Sequence, residues 1–347
     1  MSRSTIEEAL GDKDWILADG ATGTNYFSMG LQSGDAPELW NIDHPDRVAS
    51  LHRQFIGAGA DIILTNSFGG TSCRFKLHKS QDRVIELNYA AASIARNEAD
   101  RAEKQVIVAA SIGPTGDLLK PLGDLDSSEA EDAFAEQASA LSEGGADVIW
   151  LETMSSKEEL EAAGAGVKQT GLPIVATMTF DTKGRTMMGV APQELVSLYR
   201  NSVPKLAAYG ANCGIGASDL IGAMMAMRRC ADDDDILIAK GNCGIPEFVD
   251  GEICYSGTPE LMADYACLAR DLNVRIIGGC CGTTPDHLRA MREALETRDL
   301  NPEPSLDHVV SLLGSVTAGT RMCCEKYFQT LPEQKQPNRE RRRRRSN

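Results

Sequence analysis

The chain carries 347 residues, 42% of them hydrophobic, enough for one large barrel or two ordinary domains around a sizeable core. That content excludes disorder for most of the length. The net charge of -15 argues against nucleic acid as a partner of the folded body, because phosphate binding needs a basic surface; a small-molecule substrate fits better.

In chain order, the segment from Met1 to Leu10 has no apolar signal-peptide core, and no stretch approaches the ~18 uninterrupted apolar residues of a membrane span. A cytoplasmic protein without membrane contact is therefore expected. Eight short runs rich in Ile, Val and Ala then begin near Ile16, Ile62, Val106, Val148, Ile174, Ala207, Ile236 and Val274. Helix-like stretches at 45–58, 82–101, 128–143, 157–169, 192–207, 217–229, 258–272 and 285–297 separate or follow them. Pro285 suits a first helical position, and Ser156 and Ser218 suit N-caps. The β-then-α order predicts a parallel sheet with crossover helices, and eight units over about 280 residues match a (β/α)8 TIM barrel better than an open, doubly wound sheet.

The pattern lapses after Thr297. Residues 1–300 are expected to form the barrel and 301–347 a C-terminal extension, with one helix-like stretch at 307–316 and an Arg-rich tail from Arg339 to Asn347. Like-charge blocks of this kind are usually solvated, disordered chain, and contact with an acidic surface such as a sister subunit is the second reading. A homo-oligomer is left open.

Barrel active sites gather where strands turn into helices, at the C-terminal strand ends. The first strand ends Asp19-Gly20-Ala21-Thr22-Gly23-Thr24, a carboxylate followed by small residues that let a ligand approach the backbone. The second ends Thr65-Asn66-Ser67-Phe68-Gly69-Gly70. The fourth delivers Glu152 straight from an apolar run, so its burial calls for a cationic partner, either an internal salt bridge or a substrate ammonium group. Strands six, seven and eight end Asn212-Cys213-Gly214, Asn242-Cys243-Gly244 and Gly279-Cys280-Cys281-Gly282.

Four thiols thus meet one rim. Bridging the neighbouring Cys280 and Cys281 would strain a disulfide, and ten cysteines in a chain without a signal peptide should mostly stay reduced, so metal binding is the better reading. Three thiolates hold zinc with one position open for catalysis, whereas four close the site as a structural or interaction module. The residues alone leave the role of Cys243 undecided, and an iron–sulfur site is a third reading. Cys73, Cys230, Cys254, Cys267, Cys323 and Cys324 are read as structural.

At these residues the chain resembles the homocysteine S-methyltransferase family, which includes betaine-homocysteine methyltransferase and the homocysteine module of cobalamin-dependent methionine synthase. The likeness runs from about Trp15 to Leu295 through Asp19 to Thr24, Thr65 to Phe68, Ser111-Ile112-Gly113-Pro114-Thr115, Leu151 to Thr153, Ala211 to Cys213 and Gly278 to Thr284. It implies a zinc ion held by Cys213, Cys280 and Cys281, homocysteine sulfur as the further ligand, and Cys243 as a non-ligand. It also implies that Asp19, Glu152, Gly20, Thr24 and Asn66 serve homocysteine, with backbone amides from Gly20 to Thr24 assisting.

The expected reaction is methyl transfer to a zinc-activated homocysteine thiolate, giving methionine. Without the folate, cobalamin and activation modules of the large methionine synthase, this chain is expected to use a small donor, first of all glycine betaine with dimethylglycine as co-product. S-methylmethionine, dimethylsulfoniopropionate or a corrinoid-bound methyl are the alternatives. A trimethylammonium group favours aromatic faces, and Tyr26, Trp40, Phe68, Phe180, Phe248 and Tyr255 are the expected candidates near the rim. Animal betaine enzymes carry tyrosines where this chain has Gly69 and Thr153, so betaine would need a different cage here.

Overall fold

The computed structural model describes residues 5–11, 13–249 and 252–326. The Arg-rich tail and the side chains of Phe248 and Cys254 lie outside what is described. Eight parallel strands form the barrel: β1 Ile16–Leu17, β2 Ile62–Leu64, β3 Ile107–Ile112, β4 Val148–Met154, β5 Ile174–Met178, β6 Ala208–Cys213, β7 Leu237–Gly241 and, after a hairpin of β8 Pro246–Val249 and β9 Glu252–Tyr255, β10 Val274–Gly279. Each pairs with its neighbour, β10 joins β7 to β1, and a parallel bridge between Ala18 and Ile62 links β1 back to β2. The expected (β/α)8 barrel is the observed fold.

The two-residue period of a strand sorts these apolar runs into two faces. Ile16, Ile62, Ile107, Val148, Val175, Ala208, Ile238 and Ile276 fill the barrel interior, with Ala18, Leu64, Ala109 and Trp150 one step further along. Their alternates, among them Leu17, Ile63, Val108, Ile149, Ala176, Tyr209, Ala239 and Ile277, pack outward against the helices. Fully burying each large aliphatic side chain contributes about 1.5–3 kcal/mol. The short helix Ile6–Leu10, held by a Thr5–Glu8 capping box, adds Ile6 and Leu10 to the interior cluster.

The helices follow the expected stretches with instructive differences. Ser156 caps Lys157–Val167 by accepting from the Glu159 amide at 3.1 Å. Ser218 is not a cap: it lies inside Ala217–Arg228, whose N-cap is Gly216, and its hydroxyl donates to Ser315 O at 3.1 Å. The helix expected over 192–207 stops at Asn201, because Pro204 removes an amide donor and disfavours helical backbone at Val203. The β8–β9 pair was not anticipated, although Asp250-Gly251 between its arms is a hairpin signal in the sequence.

Beyond the barrel, the helix expected over 307–316 is Leu306–Leu313, and a second helix that was not expected, Ala318–Lys326, follows it. Asp219 anchors the second by accepting from Thr317 N at 3.1 Å, Thr317 Oγ1 at 2.7 Å and Thr320 Oγ1 at 2.5 Å. The Cys324 thiol donates to Gly222 O at 3.3 Å. Hydrogen bonds to a charged group contribute about 1.5–3 kcal/mol, so Asp219→Ala should loosen the extension by roughly that much. Hydrogen exchange should then accelerate over 314–326 while the strands stay protected; unchanged protection of that segment would refute the anchor.

Candidate metal centre and substrate cavity

Three cysteines converge because β6, β7 and β10 are consecutive in the barrel wall. Cys213 ends β6 in left-handed backbone at φ 60°, an uncommon geometry for a non-glycine residue and one that persists when its surroundings demand it. The Sγ atoms of Cys213, Cys280 and Cys281 all lie within 4.8 Å of one another, with 3.9 Å between Cys213 and Cys281.

Two buried asparagines hold these corners. Asn212 accepts from Thr153 N at 2.9 Å, donates to Thr153 Oγ1 at 2.8 Å and reaches Cys280 Sγ at 3.8 Å. Asn242 accepts from Cys281 N at 3.1 Å and donates to Gly214 O at 2.7 Å. Cys243 points elsewhere: it is fully buried, its thiol donates to Gly257 O at 3.2 Å, and the cluster among the described residues contains three sulfurs.

The chemistry of this donor set fits a thiophilic divalent cation. Against a lowering hydrogen bond from Cys280, the contact with Cys281 and burial push the Cys213 thiol up to about 12. Cys281 is held down by Cys213 but pushed up to about 12 by Cys280 and burial, and the Cys213 contact and burial raise Cys280 as well. Thiolates this close repel one another unless a cation lies between them, while zinc takes thiolate ligands and leaves a position open when the protein supplies three.

Beside the thiols lies a charged group that the sequence reading passed over. Lys240 on β7 is 2% exposed, and its ammonium donates to Asp19 Oδ1 at 2.7 Å and sits 5.6 Å from the centre of the Trp150 ring. Burial works to lower this lysine, yet the charges of Asp19 and Glu152 raise it above its ordinary value. Asp19 Oδ2 accepts from Leu64 N at 2.7 Å, so this carboxylate is engaged within the barrel. Glu152 accepts a short hydrogen bond from Ser111 Oγ. Burial raises its carboxyl, with Lys240 and Ser111 pulling it back.

A cavity of about 440 Å³ opens above this network and gathers Gly20, Thr24, Asn66, Glu152, Lys240 and the three clustered cysteines. Gly20 must be glycine, since a Cβ there would lie 2.7 Å from Thr283 O and 2.8 Å from the Phe55 ring. Thr24 Oγ1 accepts from Gly282 N at 3.2 Å, tying the first strand end to the cysteine turn. Asn66 donates to Pro37 O at 2.8 Å and Asn41 Oδ1 at 3.0 Å, which fixes the loop on the far side. A separate depression of about 540 Å³ lies at the opposite end of the strands, near Ile174, Ala207 and Ile236, away from the thiols.

The aromatic expectation needs correction. Phe68 lines the cavity and so does Phe27, which was not anticipated. Tyr26 and Trp40 instead pack on each other at 5.3 Å in the outer core, and Phe180 is 4% exposed in the same core. Apolar burial claimed these rings. Tyr255 sits over the cysteine turn, where a Cβ on Gly282 would lie 2.4 Å from its Cγ.

Solved structures of homocysteine methyltransferase MmuM from Escherichia coli share this fold: the metallated form has a TM-score of 0.68 at 23% identity, covering 83% of this chain and 99% of that one. The oxidized form has a TM-score of 0.66 at 24% identity, covering 84% and 99%. Among curated relatives, methionine synthase of Mycobacterium tuberculosis is 27% identical over 321 residues, which cover 86% of this chain and 26% of the relative. The chain therefore spans about a quarter of that relative's length. The homocysteine S-methyltransferase family model matches residues 16–295, the whole barrel with its cysteine corners, and the chain belongs to that family.

Proposed function

We propose that this chain transfers a methyl group to homocysteine, giving methionine, with zinc held by Cys213, Cys280 and Cys281 and glycine betaine as the donor. One observation carries the reading: the three-sulfur cluster and the buried Glu152 open onto the same cavity. Zinc bound there supplies the Lewis acidity that keeps a substrate thiol deprotonated at neutral pH.

The chain's own residues do the rest. Glu152, oriented by Ser111, takes the homocysteine ammonium, and the first-turn amides of Gly23–Ser28, which lack intrahelical partners and a side-chain cap, take its carboxylate. Asp19 acts one step back, by holding Lys240. The substrate sulfur then attacks an onium methyl in line. An S–CH3 bond forms, the N–CH3 bond breaks, its electron pair stays on nitrogen, and dimethylglycine leaves as a neutral amine. Holding both substrates in line supplies much of the acceleration of a two-substrate reaction.

Phe68 and Phe27 offer the donor aromatic faces, and Glu38 offers it a carboxylate that accepts from Gly69 N at 2.6 Å. A Cβ at position 69 would lie 3.0 Å from Glu38 Oε1, so a larger residue there would have to push this carboxylate aside. A cytoplasmic setting, where thiols stay reduced, accords with the free cysteines among the described residues.

A donor panel tests the proposal, with glycine betaine, S-methylmethionine, dimethylsulfoniopropionate and methylcobalamin each offered to zinc-loaded protein and homocysteine. Methionine should form best with betaine. Glu152→Gln should raise the homocysteine KM about tenfold or more, the worth of one charge-assisted hydrogen bond, and leave the donor KM near its original value. No methionine from any donor, or an unmoved homocysteine KM, would count against the assignment.

A further inference from the structure

The cavity brings two cationic side chains and one histidine to its wall: Lys240, Arg74 and His78. Lys240 is occupied by Asp19 at 2.7 Å. Arg74 is matched only at longer range, by the charge of Glu38. Its Nε is buried without a hydrogen-bond partner, and no ion pair within 4.0 Å involves its guanidinium among the described residues. It stacks 5.9 Å from the centre of the Phe68 ring, and its stem packs on Gly116, whose missing Cβ would lie 3.1 Å from Arg74 Cδ. The group is thus held by packing while its donors stay unspent, and leaving such donors unpaired costs free energy that a bound anion would recover.

Homocysteine already has partners for both its charges at the cysteine end of the cavity. The opposite end offers the pattern an onium acid would need: Glu38 and the Phe68 ring for the cation, Arg74 with His78 for an anion. We infer that Arg74 is the specificity-determining residue for the donor, selecting an onium compound that bears a carboxylate over one that lacks it. The inference rests on the onium-donor reading above and deepens it. A guanidinium suits this task because its planar fork matches a carboxylate with two parallel N–H···O bonds.

The test separates binding from turnover. The probe is 3,3-dimethylbutyrate, the uncharged-head analogue of glycine betaine that keeps the carboxylate but has no methyl to give. Calorimetric titration should show it binding the wild-type protein, at least about tenfold more weakly after Arg74→Gln, with partial recovery in Arg74→Lys. In steady state, Arg74→Gln should raise the glycine betaine KM by a similar factor, leave the homocysteine KM in place, and erase the preference for betaine over choline. Equal binding of the probe to wild type and Arg74→Gln, or no binding to either, overturns the inference. Arg74-dependent binding without methionine from any donor would instead overturn the reaction assigned above and leave this subsite standing.

Discussion

Cys280→Ser should lose its zinc equivalent and at least about a hundredfold of methyl transfer. The magnitude follows from two losses. A free thiol with a pKa of about 8.5 is only ~3% thiolate at pH 7, so removing the ion costs roughly thirtyfold in nucleophile alone. Positioning of the sulfur relative to the donor methyl is lost as well, and that multiplies the defect. Cys280 is the sensitive choice because it contacts both Cys213 and the Asn212 amide, so serine there leaves two sulfurs and a displaced second partner.

Cys243→Ser is the matched control, since serine can still donate to Gly257 O and position 243 lies outside the three-sulfur cluster. Metal analysis on both variants checks the expectation without relying on turnover. A Cys280→Ser protein that retains a full zinc equivalent and unaltered kcat would show that the cluster is not the metal site.

The barrel was legible because its signal is local and repeated. Each strand is a short, near-continuous apolar run buried on both faces, a helical pattern follows before the next run, and β-branched pairs such as Val148-Ile149 and Ile276-Ile277 have few other uses. The cysteine corners were legible for the same reason, since thiols at three neighbouring strand ends are rare by chance and the strand order places them together. What escaped were side chains whose meaning depends on distant partners. Lys240 reads as a blemish in Leu237-Ile238-Ala239-Lys240, yet counting two from the interior residue Ile238 puts it inside the barrel. Arg74 lies in a four-residue helix after β2, where only the tertiary structure reveals that its neighbours are Phe68 and the cavity. Tyr26 and Trp40 failed in the opposite direction: proximity to the rim in sequence does not decide whether a ring faces solvent or core.

Lys240→Met should be the most destabilising single change in the barrel interior. Methionine matches the stem of lysine but leaves Asp19, 2% exposed, with only the Leu64 amide to compensate its charge. Breaking a buried ion pair by removing one partner costs about 3–5 kcal/mol, because an unpaired buried charge remains. Denaturant unfolding reads that loss directly. The double variant Asp19→Asn with Lys240→Met removes the stranded charge, so it should recover much of the stability, with a coupling of about 1–3 kcal/mol between the two sites. It should not recover homocysteine binding to the same degree. Glu152 loses the nearby cation that offsets its burial, so in the single variant its carboxyl rises further and its hold on the substrate ammonium weakens. In the double variant the loss of the Asp19 charge, which also raised that carboxyl, offsets part of the rise, but less than Lys240 supplied. Stability and homocysteine KM restored in parallel would make Lys240 a purely structural residue; stability restored with KM still elevated identifies it as the residue that keeps Glu152 charged for its substrate.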